Sequence, residues 1–171
     1  MDILLFIREN LRCAAGDFLF PLITRLGDAG LIWIILGFSL LINRKTRRCG
    51  LAVLISLAVT YVVGDLIIKN LIMRPRPFTV YPEIELLISP PGSFSFPSGH
   101  SGSSFAAATA LFCFYKKPGF AALVLAALIA FSRMYLFVHY PTDVLAGSML
   151  GIFMALAVCC FLRKSAEPAS V

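Results

Sequence analysis

The chain contains two histidines, His100 and His139, and each sits in a short polar segment beside a long apolar one. Three such segments stand out. The first runs Lys69-Asn70-Leu71-Ile72-Met73-Arg74-Pro75-Arg76-Pro77, the second Phe96-Pro97-Ser98-Gly99-His100-Ser101, and the third from Ser132 and Arg133 through His139 and Pro141 to Asp143. Lys69, Arg76 and Arg133 are fixed positive charges without an equal number of acids to neutralise them, which suits a multiply charged anion such as phosphate. Ser98 and Gly99 precede a predicted helix, with Pro97 where a helix start tolerates it. Free backbone N–H groups there, together with the helix dipole, add anion donors that need no side chain. One imidazole could attack phosphorus while the other, protonated, gives a proton to the leaving oxygen. Asp143 follows His139 by four residues, a separation that allows contact on a helix or across its first turn. Its carboxylate would fix the tautomer of His139 and stabilise an imidazolium-like intermediate.

The elements that must hold these residues are membrane helices. Of 171 residues, 59% are apolar and 14% charged, and the mean hydropathy is +0.88. Soluble domains average roughly 45–50% apolar even with glycine counted, and a soluble chain of this size has no interior large enough to hide the excess. Disordered, coiled-coil, disulfide-scaffold and soluble nucleic-acid-binding classes are excluded. Five stretches, 28–43, 49–73, 100–115, 118–138 and 142–162, are long and apolar enough to cross a bilayer. The expected fold is all-α: a multi-pass transmembrane helix bundle of five spans plus an N-terminal amphipathic or sixth helix. In residues 1–25, Leu4, Ile7, Leu11, Ala15, Phe18 and Leu22 recur at helical spacing while Arg8, Glu9, Arg12 and Asp17 interrupt the apolar run. That pattern fits an interfacial amphipathic helix better than a sixth span. One membrane-embedded domain results, with the N-terminal helix over 1–25, the bundle over 28–162 and a tail over 163–171. Small residues are frequent in the last three spans, which predicts that these form its packed centre.

The net charge of +6 divides by position. Arg44, Lys45, Arg47 and Arg48 lie in one connector, Lys116 and Lys117 in a second, and Arg163 and Lys164 after the last span. With five alternating spans these fall on one side, which the positive-inside rule makes cytoplasmic. Residues 74–99 and the turn near 139–141 then reach the outer face, and the C-terminus is cytoplasmic. Arg8, Arg12, Arg25, Lys69, Arg74, Arg76 and Arg133 run against the rule, which marks them as cations the protein uses. The five cysteines read as small core hydrophobes, and the chain opens without a basic, cleavable signal pattern.

Each residue has a plainer explanation taken singly. A Lys or Arg near a span end snorkels, an interfacial His is usually a hydrogen-bonded surface residue, and Asp65 could simply neutralise Lys69. Arg74 reads as a headgroup anchor, and Glu83 and Glu85 as solvated. No HExxH or carboxylate cluster supports a metal, so none is expected. What the plain explanations do not account for is the gathering of all these groups at one membrane face.

The three segments resemble, without a gap, the signature of the type-2 phosphatidic acid phosphatase superfamily. Lys69, Arg76 and Pro77 fit K-x6-RP, Pro97 to His100 fit PSGH, and Ser132, Arg133, His139 and Asp143 fit SR-x5-H-x3-D. The resemblance implies that His139 is the nucleophile forming a phosphohistidine, Asp143 its orienting partner and His100 the general acid. It also implies that Lys69, Arg76, Arg133, Ser98 and the Gly99 amide hold the phosphoryl oxygens, with no metal or other cofactor. Family members commonly have six membrane helices, and the first here is unusually polar. The expected partners are a lipid phosphate substrate and membrane lipids, not nucleic acid. Undecaprenyl diphosphate is the favoured substrate, with phosphatidylglycerophosphate and phosphatidate as alternatives. A lipid phosphotransferase with the same intermediate and an anion transporter are the rival readings. A neutral and a protonated histidine together predict a bell-shaped pH–rate profile.

Overall fold

The computed structural model describes residues 2–164, and among them every regular element is helical. The expected tail is outside the described residues beyond 164. In chain order the elements are α1 (Asp2–Phe6), which continues into a wide turn over Ile7–Leu11, α2 (Ala14–Leu26), α3 (Leu31–Ile42), α4 (Arg47–Tyr61), α5 (Lys69–Ile72), α6 (Pro77–Val80), α7 (Gly99–Phe114), α8 (Lys116–Tyr135) and α9 (Pro141–Lys164). A π-helical stretch, Val62–Ile68, joins α4 to α5 without a break.

Length decides which of these can cross a bilayer. The stretch Arg47–Val80, α8 and Pro141–Arg163 are each long and apolar enough, and α2 with the segment Asp28–Ile42 would make a fourth crossing if that pair, bent by 41°, is one span. The stretch expected at 28–43 opens with a 3-10 turn at Asp28–Gly30 and is α-helical only over Leu31–Ile42, about 18 Å at 1.5 Å per residue, short of the roughly 30 Å hydrocarbon core. The break lies at Ala29 and Gly30, whose φ values of 50° and 66° are left-handed.

The bundle is close-packed inside, where small apolar residues dominate and the buried polar groups are enclosed, and it is apolar outside, as lipid requires. On α8, Phe120, Val124 and Leu128 form an exposed stripe at four-residue spacing, and Leu145, Met149 and Phe153 do the same on α9. In water such stripes would be an aggregation liability; against acyl chains they are the expected surface. The protein is therefore a multi-pass membrane protein. The central helix is α7, packed by α4, α8 and α9, with Ala106, Ala107, Ala108 and Ala110 at 0% exposure.

Small residues permit that enclosure. A Cβ on Gly151 of α9 would lie 2.2 Å from the Gly102 carbonyl oxygen of α7, and one on Gly147 would lie 2.4 Å from the Ser98 carbonyl oxygen. With no hydrophobic force between helices in lipid, such backbone contact is what drives association. It also sets the register of the site, since Asp143 opens α9 as Ser98 caps α7, and the Ser98 N–H donates to the Asp143 carbonyl at 3.0 Å. Gly151→Val should push α7 and α9 apart and lower stability in detergent by about 1–3 kcal/mol or more, the usual penalty of overpacking. Thermal unfolding of the purified variant measures this.

The helix ends sort by charge. Tyr115 donates to the Lys45 carbonyl at 3.1 Å and Arg163 to the Cys113 carbonyl at 2.7 Å, which gathers the basic connectors at one end of the bundle. The ends of α5 and α8 and the starts of α7 and α9 meet at the other.

Candidate active site

Residues from four parts of the chain line one cavity of about 680 Å³: Lys69, Arg76, Gly99, His100, Arg133 and His139. The π-helical stretch widens the turn just before Lys69, a local distortion of the kind that re-aims functional side chains. Met73 then takes a left-handed φ of 49°, ending α5, and the chain turns so that Arg76 points back to the bundle. Lys69 pairs with Asp65, and that carboxylate also lies against the start of α7: a Cβ on Gly99 would come within 2.9 Å of Asp65 Oδ1.

The Arg76 guanidinium is held on all sides. Its Nε donates to the Ser93 carbonyl at 2.7 Å, Nη2 to Ser93 Oγ and the Phe94 carbonyl, and Nη1 to the Val138 carbonyl at 2.8 Å. The same Nη1 stands 3.1 Å from His139 Nε2. Arg133 is anchored through Nη1 on Thr24 Oγ1, while its buried Nε finds no hydrogen-bond partner among the described residues. An unsatisfied guanidinium donor beside a cavity is a position for an anion's oxygen.

His139 sits in the turn between α8 and α9, where Phe137 takes φ 60° and swings the following residues over the helix end. Asp143 is fully buried behind it, with Oδ2 3.6 Å from His139 Nδ1. That is longer than a direct hydrogen bond, and the contact would become an ion pair only on protonation of the ring. The carboxylate is itself fixed: Oδ2 accepts from Ser95 Oγ at 2.5 Å and the Tyr140 N–H at 2.9 Å, and Oδ1 from Arg74 Nη1 at 2.7 Å. Arg74, expected to anchor a headgroup, instead stacks over Tyr140 and braces Asp143. Burial pushes the His139 imidazole below its ordinary 6.5, with Arg76 and Arg133 pushing the same way and Asp143 opposing. The ring is therefore neutral across the usual working range, with Nε2 toward Arg76 and Nδ1 toward Ser95 and Asp143.

Of the other expected groups, Ser98 is buried and its hydroxyl caps α7, accepting from the Ser101 N–H and hydroxyl, so its side chain serves the helix start. His100 faces the cavity and stands 2.9 Å from Asp28. Among the described residues, no group of three or more His, Cys, Asp or Glu side chains converges as metal ligands would. Ser95, Thr24 and Asp28 carry no signal of their own in the sequence, and Arg74 stands out there only as a cation on the outer face.

A model of the PAP2 superfamily matches residues 49–167. The chain belongs to the PAP2 superfamily. It is 34% identical over 125 residues to an undecaprenyl-diphosphatase of Sulfolobus acidocaldarius, covering 72% of this chain; the chain spans 60% of the length of that relative. Its fold matches a transmembrane PAP2-type phosphatidylglycerolphosphate phosphatase from Bacillus subtilis, with a TM-score of 0.72 and 29% identity over 93% of this chain and 82% of the other. It likewise matches LpxE from Aquifex aeolicus, with a TM-score of 0.74 and 27% identity over 92% of each chain. The PAP2 match begins within α4 and takes in every expected site residue, whereas Thr24 and Asp28 precede it.

Proposed function

We propose that this PAP2 phosphatase hydrolyses an amphiphilic phosphate, with a long-chain isoprenyl diphosphate of the undecaprenyl type favoured over phosphatidylglycerophosphate and phosphatidate. The observation that carries the reading is that one cavity joins the cations and histidines to an apolar wall. Ile34 of α3 and Leu54, Leu57 and Ala58 of α4 line it as well. Leu54 precedes Lys69 by fifteen residues of continuous helix, about 22 Å at 1.5 Å per residue. A substrate with a charged head and a long apolar chain fits both parts, and the name of the Sulfolobus relative favours the isoprenyl diphosphate.

His139 Nε2 attacks the terminal phosphorus while Arg76 and Arg133 hold the peripheral oxygens, where charge is spread in a loose transition state. The P–N bond forms as the P–O bond to the leaving group breaks, and the leaving oxygen takes a proton from His100. Water then attacks the phosphohistidine and returns a proton to His100, and inorganic phosphate departs. The positive charge that assists these steps comes from side chains, so the reading needs no metal. The five-span reading takes α3 and α7, about 18 and 24 Å long, as short crossings of the kind a bilayer accommodates by thinning locally. It is supported by α2, whose Gly16 lies against Tyr135 and whose Thr24 holds Arg133. Both of its ends thus stay near the site, as an interfacial helix would, while α3 descends. The basic end of the bundle then lies in the cytoplasm and the site at the outer face.

Phosphate release in detergent from a panel of lipid phosphates tests the proposal. Release should be fastest with the isoprenyl diphosphate and unchanged by chelator. Ala58→Trp, at an exposed position on the cavity wall, should obstruct the chain and raise KM for the long-chain substrate about tenfold or more, the scale of about 1–3 kcal/mol of apolar contact, and spare a short-chain one. No release from any lipid phosphate would overturn the proposal.

A further inference from the structure

Segment 24–30, outside the PAP2 match, grips two site residues. Thr24 holds Arg133, and Asp28 Oδ1 stands 2.9 Å from His100 Nε2. The backbone is shaped for this approach. A Cβ on Gly27 would lie 2.8 Å from His100 Cδ2, and the left-handed Ala29 and Gly30 turn the chain immediately after Asp28. A plain connector between two helices requires none of these features.

We propose that Asp28 is a positioning residue for His100. Its carboxylate accepts from Nε2, favours the protonated imidazole against burial and the two cations, and turns the other nitrogen, Nδ1, toward the leaving oxygen. This rests on the reading of His100 as the general acid. As the P–O bond breaks, its electron pair stays on the leaving oxygen, which takes the Nδ1 proton; Nε2 keeps its hydrogen and its bond to Asp28. In the second step Nδ1 removes a proton from the attacking water, which restores the imidazolium.

The charged groups facing His100 come from three elements: Asp28 from the α2–α3 break, Arg133 from α8 and Arg76 from the turn after α5. Asp65 and Lys69, paired with each other, line the same cavity. Burial is the largest influence against a charge on His100 and the two cations act the same way; the Asp28 carboxylate is the group in direct contact that favours it.

Asp28→Asn keeps the shape of a side chain that is 62% exposed, so folding should survive, as thermal unfolding will verify. The expected result is a loss of about 10- to 100-fold in kcat on an alkyl phosphate, part of the roughly 10²–10⁴-fold that a general acid supplies. KM should change little, and an aryl phosphate whose leaving group needs no proton should be spared. The alkaline limb of the pH–rate profile should move down by about one unit or more, as loss of an opposite charge in contact predicts. Asp28→Glu should restore part of the rate, and Asp28→Asn should add no further loss on top of His100→Ala. Equal losses with alkyl and aryl leaving groups, or an unmoved alkaline limb, would overturn the inference. Turnover retained in His139→Ala and His100→Ala would instead overturn the phosphohistidine reading itself; loss in those two variants with none in Asp28→Asn defeats the Asp28 inference alone.

Discussion

His139→Ala should lower phosphate release on the order of 10⁴-fold or more, the scale on which removal of an activated nucleophile is felt. The variant should also fail to trap a phosphoenzyme that the wild type accumulates under acid-free quench. The physical reason lies in how the ring is kept reactive. Its Nε2 lone pair is available only in the neutral form, and burial is the main force that lowers the pKa from 6.5, reinforced by Arg76 and Arg133. The acid limb of the wild-type profile should therefore lie well below pH 6.5, while the alkaline limb reports loss of the His100 proton. The same shift acts on stability. A group with a depressed folded pKa contributes fully above its unfolded value, and the contribution is lost as the pH falls toward the folded one. An acid limb centred at or above 6.5 would mean that His139 is not held neutral by its surroundings.

How far the sequence discloses this site depends on what places each residue. Lys69, His100, Arg133, His139 and Asp143 stand at the ends of helices, so the alternation of apolar stretches is enough to bring them to one end of a bundle. The glycines and alanines of the last three stretches foretell the enclosed α7 for the same reason: close helix approach needs small side chains wherever it occurs. Ser95 and Arg74 are different. Ser95 lies in a loop without periodicity, and it reaches Asp143 because Arg76 ties Ser93 and Phe94 down and its own N–H donates to the Arg74 carbonyl. Arg74 beside a proline has the pattern of a headgroup anchor, and the turn at Met73 redirects it inward. Asp28 is hidden by its neighbours. Its place at the head of an apolar run makes 28–43 look like one span, and the left-handed break that separates it from α3 depends on packing against Ser103 and His100 rather than on composition.

Arg76→Lys should cost about 10³-fold in kcat/KM, near the upper range for loss of one fixed donor to a developing oxyanion, although the charge is conserved. Charge is not what the geometry of Arg76 supplies. Its three nitrogens reach the Ser93 carbonyl and hydroxyl, the Phe94 carbonyl, the Val138 carbonyl and His139 Nε2, a spread that a single ammonium on a flexible stem does not reproduce. The variant would release loop 93–95, and with it the Ser95 hydroxyl that steadies Asp143, as well as the donor aimed beside the nucleophile. Two effects should then appear together: a fall in kcat from the lost phosphoryl contact, and a change in the acid limb as the carboxylate behind His139 is freed. The comparison with Lys69 isolates the cause. Lys69 shares its charge with Asp65 and has no such fork, so Lys69→Arg should be tolerated far better than Arg76→Lys. Near-wild-type kinetics in Arg76→Lys would show that positive charge alone holds the phosphoryl group, and that the bracing of the loop serves the fold rather than the chemistry.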